Sequence, residues 1–182
     1  MTPARTALAA ALALGLAAAA PADDSTLKVK AGDKFPDVPL EAAQIDKVKK
    51  GGKTLSAADL KGKVAVIFFY PKASTKGCTI ESCGFRDLAG EFPTDVVLVG
   101  ASVDGMDAQN KFIKENDLPF PLLCDTDHKL VKALGIEKGS VSQRVTFLVD
   151  RDGVVRKVYT TVTPAKHPKE VLADARELAK TK

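Results

Sequence analysis

The chain has 182 residues, 45% apolar and 27% charged, with 27 basic against 23 acidic side chains and a formal net charge of +4. That length accommodates one domain with a core that needs no disulfide staples, and a positive excess this small and dispersed excludes a nucleic-acid surface. Three cysteines, no two of them in a C-x-x-C pair, exclude a disulfide scaffold, and with only His128 and His167 the chain lacks the ligands of a tetrahedral zinc site.

Met1–Ala22 reads as an export signal rather than as fold. Arg5 supplies a minimal positive start, Ala7–Ala20 is an unbroken apolar run, and Ala20-Pro21-Ala22 offers small residues in an A-x-A arrangement before Asp23-Asp24. The run falls short of the roughly 20 apolar residues of a membrane span, and an uncleaved anchor stands as the alternative. The expectation is cleavage near Ala22, a periplasmic or secreted protein, and a single domain over residues 23–182 with no stable membrane association.

The segment from Asp23 to Lys53 reads as an irregular lead-in broken by Pro36 and Pro39, with Leu27–Val29 as a short edge strand. Ser56 caps a helical turn through Leu60 that closes near Gly62. Val64–Phe69 is six apolar residues in a row, the mark of a strand buried on both faces. A helix is predicted from Cys78 to Glu91, then a buried strand over Asp95–Val103. Asp104 or Asp107 caps a helix to Asn116 with Met106, Phe112 and Ile113 inward. Leu122–Cys124 is a short apolar run, and Asp125 or Asp127 caps a helix to Leu134 that Gly135 stops.

Arg144–Asp150 and Val154–Thr160 are predicted strands joined through Asp150-Arg151-Asp152-Gly153, a hairpin signal. A last helix from Pro168 to Lys180 sets Val171, Leu172, Ala175, Leu178 and Ala179 on one apolar face. The order βαβ, αβ, ββα predicts an α/β fold of thioredoxin-like arrangement, a central mixed sheet with helices on both faces.

The chemistry concentrates where the Val64–Tyr70 strand stops at Pro71 and a polar loop delivers Cys78 to the start of a helix. Backbone N–H groups and the helix dipole there favour a thiolate. A free cysteine is only about 3% thiolate at pH 7, whereas one with a pKa near 6 is about 90% ionised. Thr75 lies three residues upstream, where its hydroxyl can both accept and donate. Pro71 adds no donor and walls one side of the pocket. Arg144, at the start of an inner strand, is a poor place for a charge unless a buried anion meets it.

Pro71-x-x-x-Thr75-x-x-Cys78 resembles the active-site motif of peroxiredoxins. Its flanks, Phe68-Phe69-Tyr70-Pro71-Lys72 before and Gly77-Cys78-Thr79-x-Glu81-x-Cys83-Gly84-Phe85-Arg86-Asp87 after, resemble the bacterioferritin-comigratory or peroxiredoxin Q branch. The likeness runs from about Ala31 to Lys180 and includes Leu60-Lys61-Gly62-Lys63, Asp125-Thr126-Asp127-His128 and Arg144–Asp150. It implies a peroxidase of hydrogen peroxide and organic hydroperoxides with Cys78 as peroxidatic cysteine, Cys83 as resolving cysteine, Pro71 and Thr75 in the pocket and Arg144 as the stabilising cation. It also implies a thioredoxin-like dithiol reductant, no metal or prosthetic group, and a monomer.

The spacing of the two cysteines carries its own expectation. Residues i and i+5 of an intact helix have Cα atoms roughly 8.6 Å apart, whereas a disulfide needs about 4.4 to 6.8 Å. The helix must therefore unwind locally before Cys78 and Cys83 bond. Cys124 reads as a buried inert thiol or, alternatively, a second resolving one. Glu81 steadies the first turn or handles protons, Arg86 pairs with Asp87 or a loop carboxylate, Tyr70 is core, and His128 and His167 read as capping or surface residues. An exported thiol–disulfide oxidoreductase and a catalytically idle binding module are the competing functions. The missing C-x-x-C argues against the first, and intact Pro71, Thr75, Cys78 and Arg144 argue against the second.

Overall fold

The structure is a computed structural model that describes residues 26–181, so the export signal expected over Met1–Ala22 lies outside the described residues. In chain order the elements are β1 (Leu40–Ala43), β2 (Thr54–Leu55), β3 (Val64–Phe69), α1 (Lys76–Leu88), β4 (Val96–Ser102), α2 (Met106–Asn116), β5 (Leu122–Cys124), α3 (Lys129–Leu134), β6 (Glu137–Lys138), β7 (Val141–Ser142), β8 (Val145–Val149), β9 (Val155–Tyr159) and α4 (His167–Lys180).

Seven strands form one sheet in the order β2-β1-β5-β4-β3-β8-β9, and β6 and β7 make a separate hairpin. The apolar run forms β3 near the sheet's middle, parallel to β4 and antiparallel to β8, with every one of its six residues buried. Because side chains alternate along a strand, Val64, Val66, Phe68 and the following Tyr70 face one core, and Ala65, Ile67 and Phe69 face the other. Phe85 of α1, Phe112 of α2 and Val171 and Leu172 of α4 close the first core. Leu130, Val131 and Leu134 of α3, with Val29 and Phe35 of the lead-in, close the second. The mixed sheet with helices on both faces is the architecture the sequence predicts.

Close approach fixes one residue choice in this sheet. A Cβ on Gly100 would lie 2.5 Å from Leu122 Cδ2 and 3.0 Å from Phe68 Cζ, so β3, β4 and β5 pack here only around a glycine.

The lead-in departs from expectation. Leu40–Ala43 is a strand, antiparallel to β5 with Glu41 opposite Cys124. Pro39 precedes the strand, where a missing N–H breaks no ladder, so that proline marks a strand entry rather than an irregular stretch. Leu27–Val29 forms no strand; the Lys28 N–H donates to the Leu134 carbonyl at the end of α3, and Val29 is core. The β6–β7 hairpin was not legible in two pairs of residues around Gly139, whose φ is +58°.

Helix entries also shift. α1 begins two residues before Cys78, with Thr75 at the N-cap. Gly105, rather than either aspartate, caps α2. His128 holds the N-cap position of α3, while Asp125 accepts from the N–H groups of Leu130 and Val131, so the capping carboxylate acts from three residues before the helix cap. Gly135 ends α3 at φ +75°, and Gly153 turns the β8–β9 hairpin at φ +77°, both as expected.

Candidate active site

β3 delivers Tyr70 and Pro71 to the mouth of a loop fixed by hydrogen bonds along its length. Ala73 N–H donates to Asp104 Oδ2 at 2.8 Å, and Ser74, in the left-handed region at φ +57°, donates to Glu115 Oε2 at 3.3 Å. Thr75 then opens α1, its carbonyl accepting from Thr79 N–H at 2.8 Å. The Thr75 hydroxyl donates to the Lys72 carbonyl at 2.9 Å. Its proton is therefore committed within the loop, and the lone pairs remain free to accept a hydrogen bond from a ligand.

Cys78 occupies the first turn of α1 and is 1% exposed. Arg144 stands just before β8, whose Val145 pairs with Phe69 of β3, so sheet register carries the arginine to the end of the strand that feeds the loop. Its Nη2 donates to Cys78 Sγ at 3.2 Å, and its Nη1 pairs with a carboxylate oxygen of Glu81. A Cβ on Gly77 would stand 3.3 Å from that Nη2, so the missing side chain gives the guanidinium the space it occupies beside α1. The guanidinium charge, with its directed N–H, and the N-terminal turn of α1 thus both face the sulfur.

Glu81 is the residue whose weight the sequence understates. It is fully buried, with one carboxylate oxygen on Arg144 and the other without a partner. Burial pushes its carboxyl up to about 7, against the opposing pull of Arg144. The signal was present in the spacing, since Glu81 lies three residues after Cys78 and so shares its helix face.

Cys83 lies on the same unbroken helix as Cys78, and both thiols are free. It is half-buried, and its Sγ donates to Asn116 Oδ1 at 3.5 Å. Arg86 pairs with Asp87 as expected and also donates to the Asn116 carbonyl at 2.8 Å. Cys124 sits in β5 away from this group, and burial pushes its thiol up to about 11, which fits the inert reading rather than a second resolving one. His167 corrects its surface assignment: it is 1% exposed, bonded through Nε2 to Thr146 Oγ1 at 2.8 Å and packed edge-on against Phe85 and Tyr159. Burial, helped by the charges of Arg144 and Lys157, lowers its pKa to about 4.

A hollow of about 390 Å³ lined by Lys47, Lys63, Phe92 and Pro119 lies elsewhere and includes none of these site residues. Among the described residues no three His, Cys, Asp or Glu side chains converge as metal ligands, and no helix is long and apolar enough to cross a membrane.

Of the expected site residues, then, the fold joins Cys78 to Arg144 directly, places Thr75 at the cap of the same helix and Pro71 at the loop's entry, and holds Cys83 more than one turn away. Residues 31–158 match the model of the AhpC/TSA family. The chain belongs to that family. It is 34% identical over 162 residues to peroxiredoxin Bcp of Bacillus subtilis, covering 84% of this chain and 99% of that protein. It is 39% identical over 126 residues to the chloroplastic peroxiredoxin Q of Populus jackii, covering 66% of this chain and 59% of the relative. The crystal structure of peroxidoxin BcpB from Mycobacterium tuberculosis superposes with a TM-score of 0.73 at 32% identity, over 82% of this chain and 98% of that one. The fold is thus that of a thioredoxin-like peroxiredoxin, and this AhpC/TSA member is a thiol-dependent peroxidase.

Proposed function

We propose that Cys78 is the peroxidatic nucleophile of a two-cysteine cycle acting on hydrogen peroxide and organic hydroperoxides. The observation that carries this reading is the Arg144 N–H aimed at Cys78 Sγ from 3.2 Å in the first turn of α1. The thiolate attacks one peroxide oxygen, the O–O bond breaks, and the departing oxygen leaves as water or alcohol after taking a proton. Arg144 spreads positive charge over sulfur and the reacting oxygens, and the Thr75 hydroxyl accepts from the peroxide O–H. A Cys78 only 1% exposed favours a slim peroxide group over a protein disulfide, the substrate of the competing oxidoreductase reading.

The sulfenic acid is then attacked by Cys83, which forms the disulfide and releases water once α1 has unwound. A thioredoxin-like dithiol reduces the disulfide and restores both thiols. The chain acts as a monomer, and its export to antioxidant defence of the cell envelope is a reading that rests on the Met1–Ala22 pattern.

The test is to add stoichiometric hydrogen peroxide to the reduced chain, following thiol loss and peptide linkage by mass. Rapid loss of two thiols with a Cys78–Cys83 link is the expected result, and Cys83→Ser should stop at the sulfenic acid. Reaction no faster than that of free cysteine would sink the assignment. Mass analysis of the cellular protein checks cleavage near Ala22, and an intact N-terminus would overturn export by this route.

A further inference from the structure

Asn116 ends α2 and makes three hydrogen bonds, one back within its own helix and two to the second half of α1. Its side-chain Nδ2 donates back to the Phe112 carbonyl at 3.0 Å, which orients the amide and turns Oδ1 toward Cys83. Oδ1 then accepts from Cys83 Sγ at 3.5 Å, and the Asn116 main-chain carbonyl accepts from Arg86 Nη1 at 2.8 Å. Cys83 and Arg86 are three residues apart on one helix face, so a single residue of α2 grips both. The cation also meets the carbonyl end of α2, where the helix dipole favours positive charge.

An amide oxygen only accepts, so the Cys83–Asn116 bond exists while Cys83 is a thiol in place on an intact α1. Cys83 cannot reach Cys78 in that state, because a helical i, i+5 separation of roughly 8.6 Å exceeds disulfide reach. Every turnover must break this contact.

We propose that Asn116 is a positioning residue for the resolving step: it parks the Cys83 thiol and, with Arg86, sets how fast α1 releases it. The inference rests on Cys83 being the resolving cysteine. In the step it governs, Cys83 sulfur bonds to the sulfur of the Cys78 sulfenic acid, the S–O bond breaks, and the hydroxide takes up the thiol proton to leave as water. While Cys83 stays parked the sulfenic acid is exposed to a second peroxide, so the same contact sets the share of Cys78 carried on to sulfinic acid.

The experiment is rapid-quench mass analysis of the reduced full chain after peroxide addition, timing Cys78 oxidation and Cys78–Cys83 linkage separately. Asn116→Ala removes the thiol's acceptor and should speed linkage about three- to fivefold, the worth of one ordinary hydrogen bond, with less sulfinic acid at excess peroxide. Asn116→Asp gives up the Nδ2 bond to Phe112 but supplies a stronger, charged acceptor for the thiol near Arg86, and should slow linkage by a similar factor with more sulfinic acid. Arg86→Gln, which leaves the Asn116 side chain in place, should speed linkage as Asn116→Ala does. The timing of Cys78 oxidation serves as the internal reference, because a general loss of packing would disturb both steps and would not move the two Asn116 variants in opposite directions. Equal linkage rates in all variants, or a shift of Ala and Asp in the same direction, would overturn the proposal while leaving Cys83 as resolving cysteine. No Cys78–Cys83 link in the native chain would overturn both.

Discussion

Arg144 and Cys78 meet across 66 residues of chain, Nη2 to Sγ at 3.2 Å, and the same guanidinium is held by the buried Glu81. A charge-assisted bond of this kind contributes about 1.5–3 kcal/mol. Arg144→Gln should therefore slow Cys78 oxidation about 10- to 100-fold. Arg144→Lys keeps the charge but not the fork that reaches two acids, and should recover only part of the loss. Stopped-flow peroxide consumption measures both; a native rate in Arg144→Gln would remove the arginine from the mechanism.

Glu81 and His167 should make stability respond to pH in opposite senses. The folded Glu81 carboxyl holds its proton up to about 7 against an ordinary 4.5. Between those values the folded chain binds more protons than the unfolded one, so the Glu81 contribution falls as pH rises. His167 has a folded pKa of about 4 against an ordinary 6.5, so its contribution is complete above 6.5 and is lost as pH falls toward 4. Over the shared window of 4.5 to 6.5 the two slopes oppose each other, each at most about 1.4 kcal/mol per pH unit. Relative to the native chain, Glu81→Gln should gain stability as pH rises through the window, and His167→Gln should lose it. Denaturant melts at pH 4.5, 5.5 and 6.5 check this; differences that stay constant with pH would refute it.

The site was legible where it depends on local sequence. The Val64–Phe69 run, the stop at Pro71 and the helix bearing Cys78 announce themselves by pattern, and Arg144 stood out as a charge at the start of an apolar strand. What escaped depends on distant partners. β1 reads as loop because its four residues carry a glutamate and two alanines, and only pairing with β5 makes them a strand. Gln109, which has no place among the inward residues expected of its helix, is fully buried because Tyr70, Ser102 and the Leu123 carbonyl together satisfy its amide. His167 next to a proline gave no sign of burial, since burial there comes from Thr146, Phe85 and Tyr159, each on a different element.

Gly84 tests the fit of α1 against α4. A Cβ there would stand 2.8 Å from Pro168 Cγ, a distance that forces one helix to shift. Alanine is the better helix former by about 1 kcal/mol, while overpacking costs about 1–3 kcal/mol. Gly84→Ala should thus be neutral to about 2 kcal/mol destabilising in the native background. In a Pro168→Ala background the clash is relieved and the same change should stabilise by up to about 1 kcal/mol. A double-mutant cycle of unfolding free energies reads the coupling; no coupling would mean the contact does not limit the approach of the helices.

The buried chain Tyr70–Gln109–Ser102–Asp104 connects the core to the loop that carries the nucleophile. Tyr70 donates to Gln109 Oε1 at 2.5 Å, Gln109 donates to Ser102 Oγ at 2.9 Å, and Ser102 donates to Asp104 Oδ2 at 2.7 Å. The same Asp104 oxygen accepts from Ala73 N–H, one residue before the strained Ser74 and two before Thr75. The two ends should fail differently. Gln109→Leu takes the Oε1 acceptor from the buried Tyr70 hydroxyl, a loss of about 1–3 kcal/mol in stability, part of which Tyr70→Phe should restore. Asp104→Ala instead frees the loop backbone near the surface, costing about 1–2 kcal/mol in stability. Small displacements of a reacting group are expensive in rate, so Cys78 oxidation should slow about tenfold. Asp104→Asn, which keeps an acceptor, should retain most of the rate. An Asp104→Ala protein that oxidises at the native rate would show that Thr75 and the α1 cap fix Cys78 without help from β4.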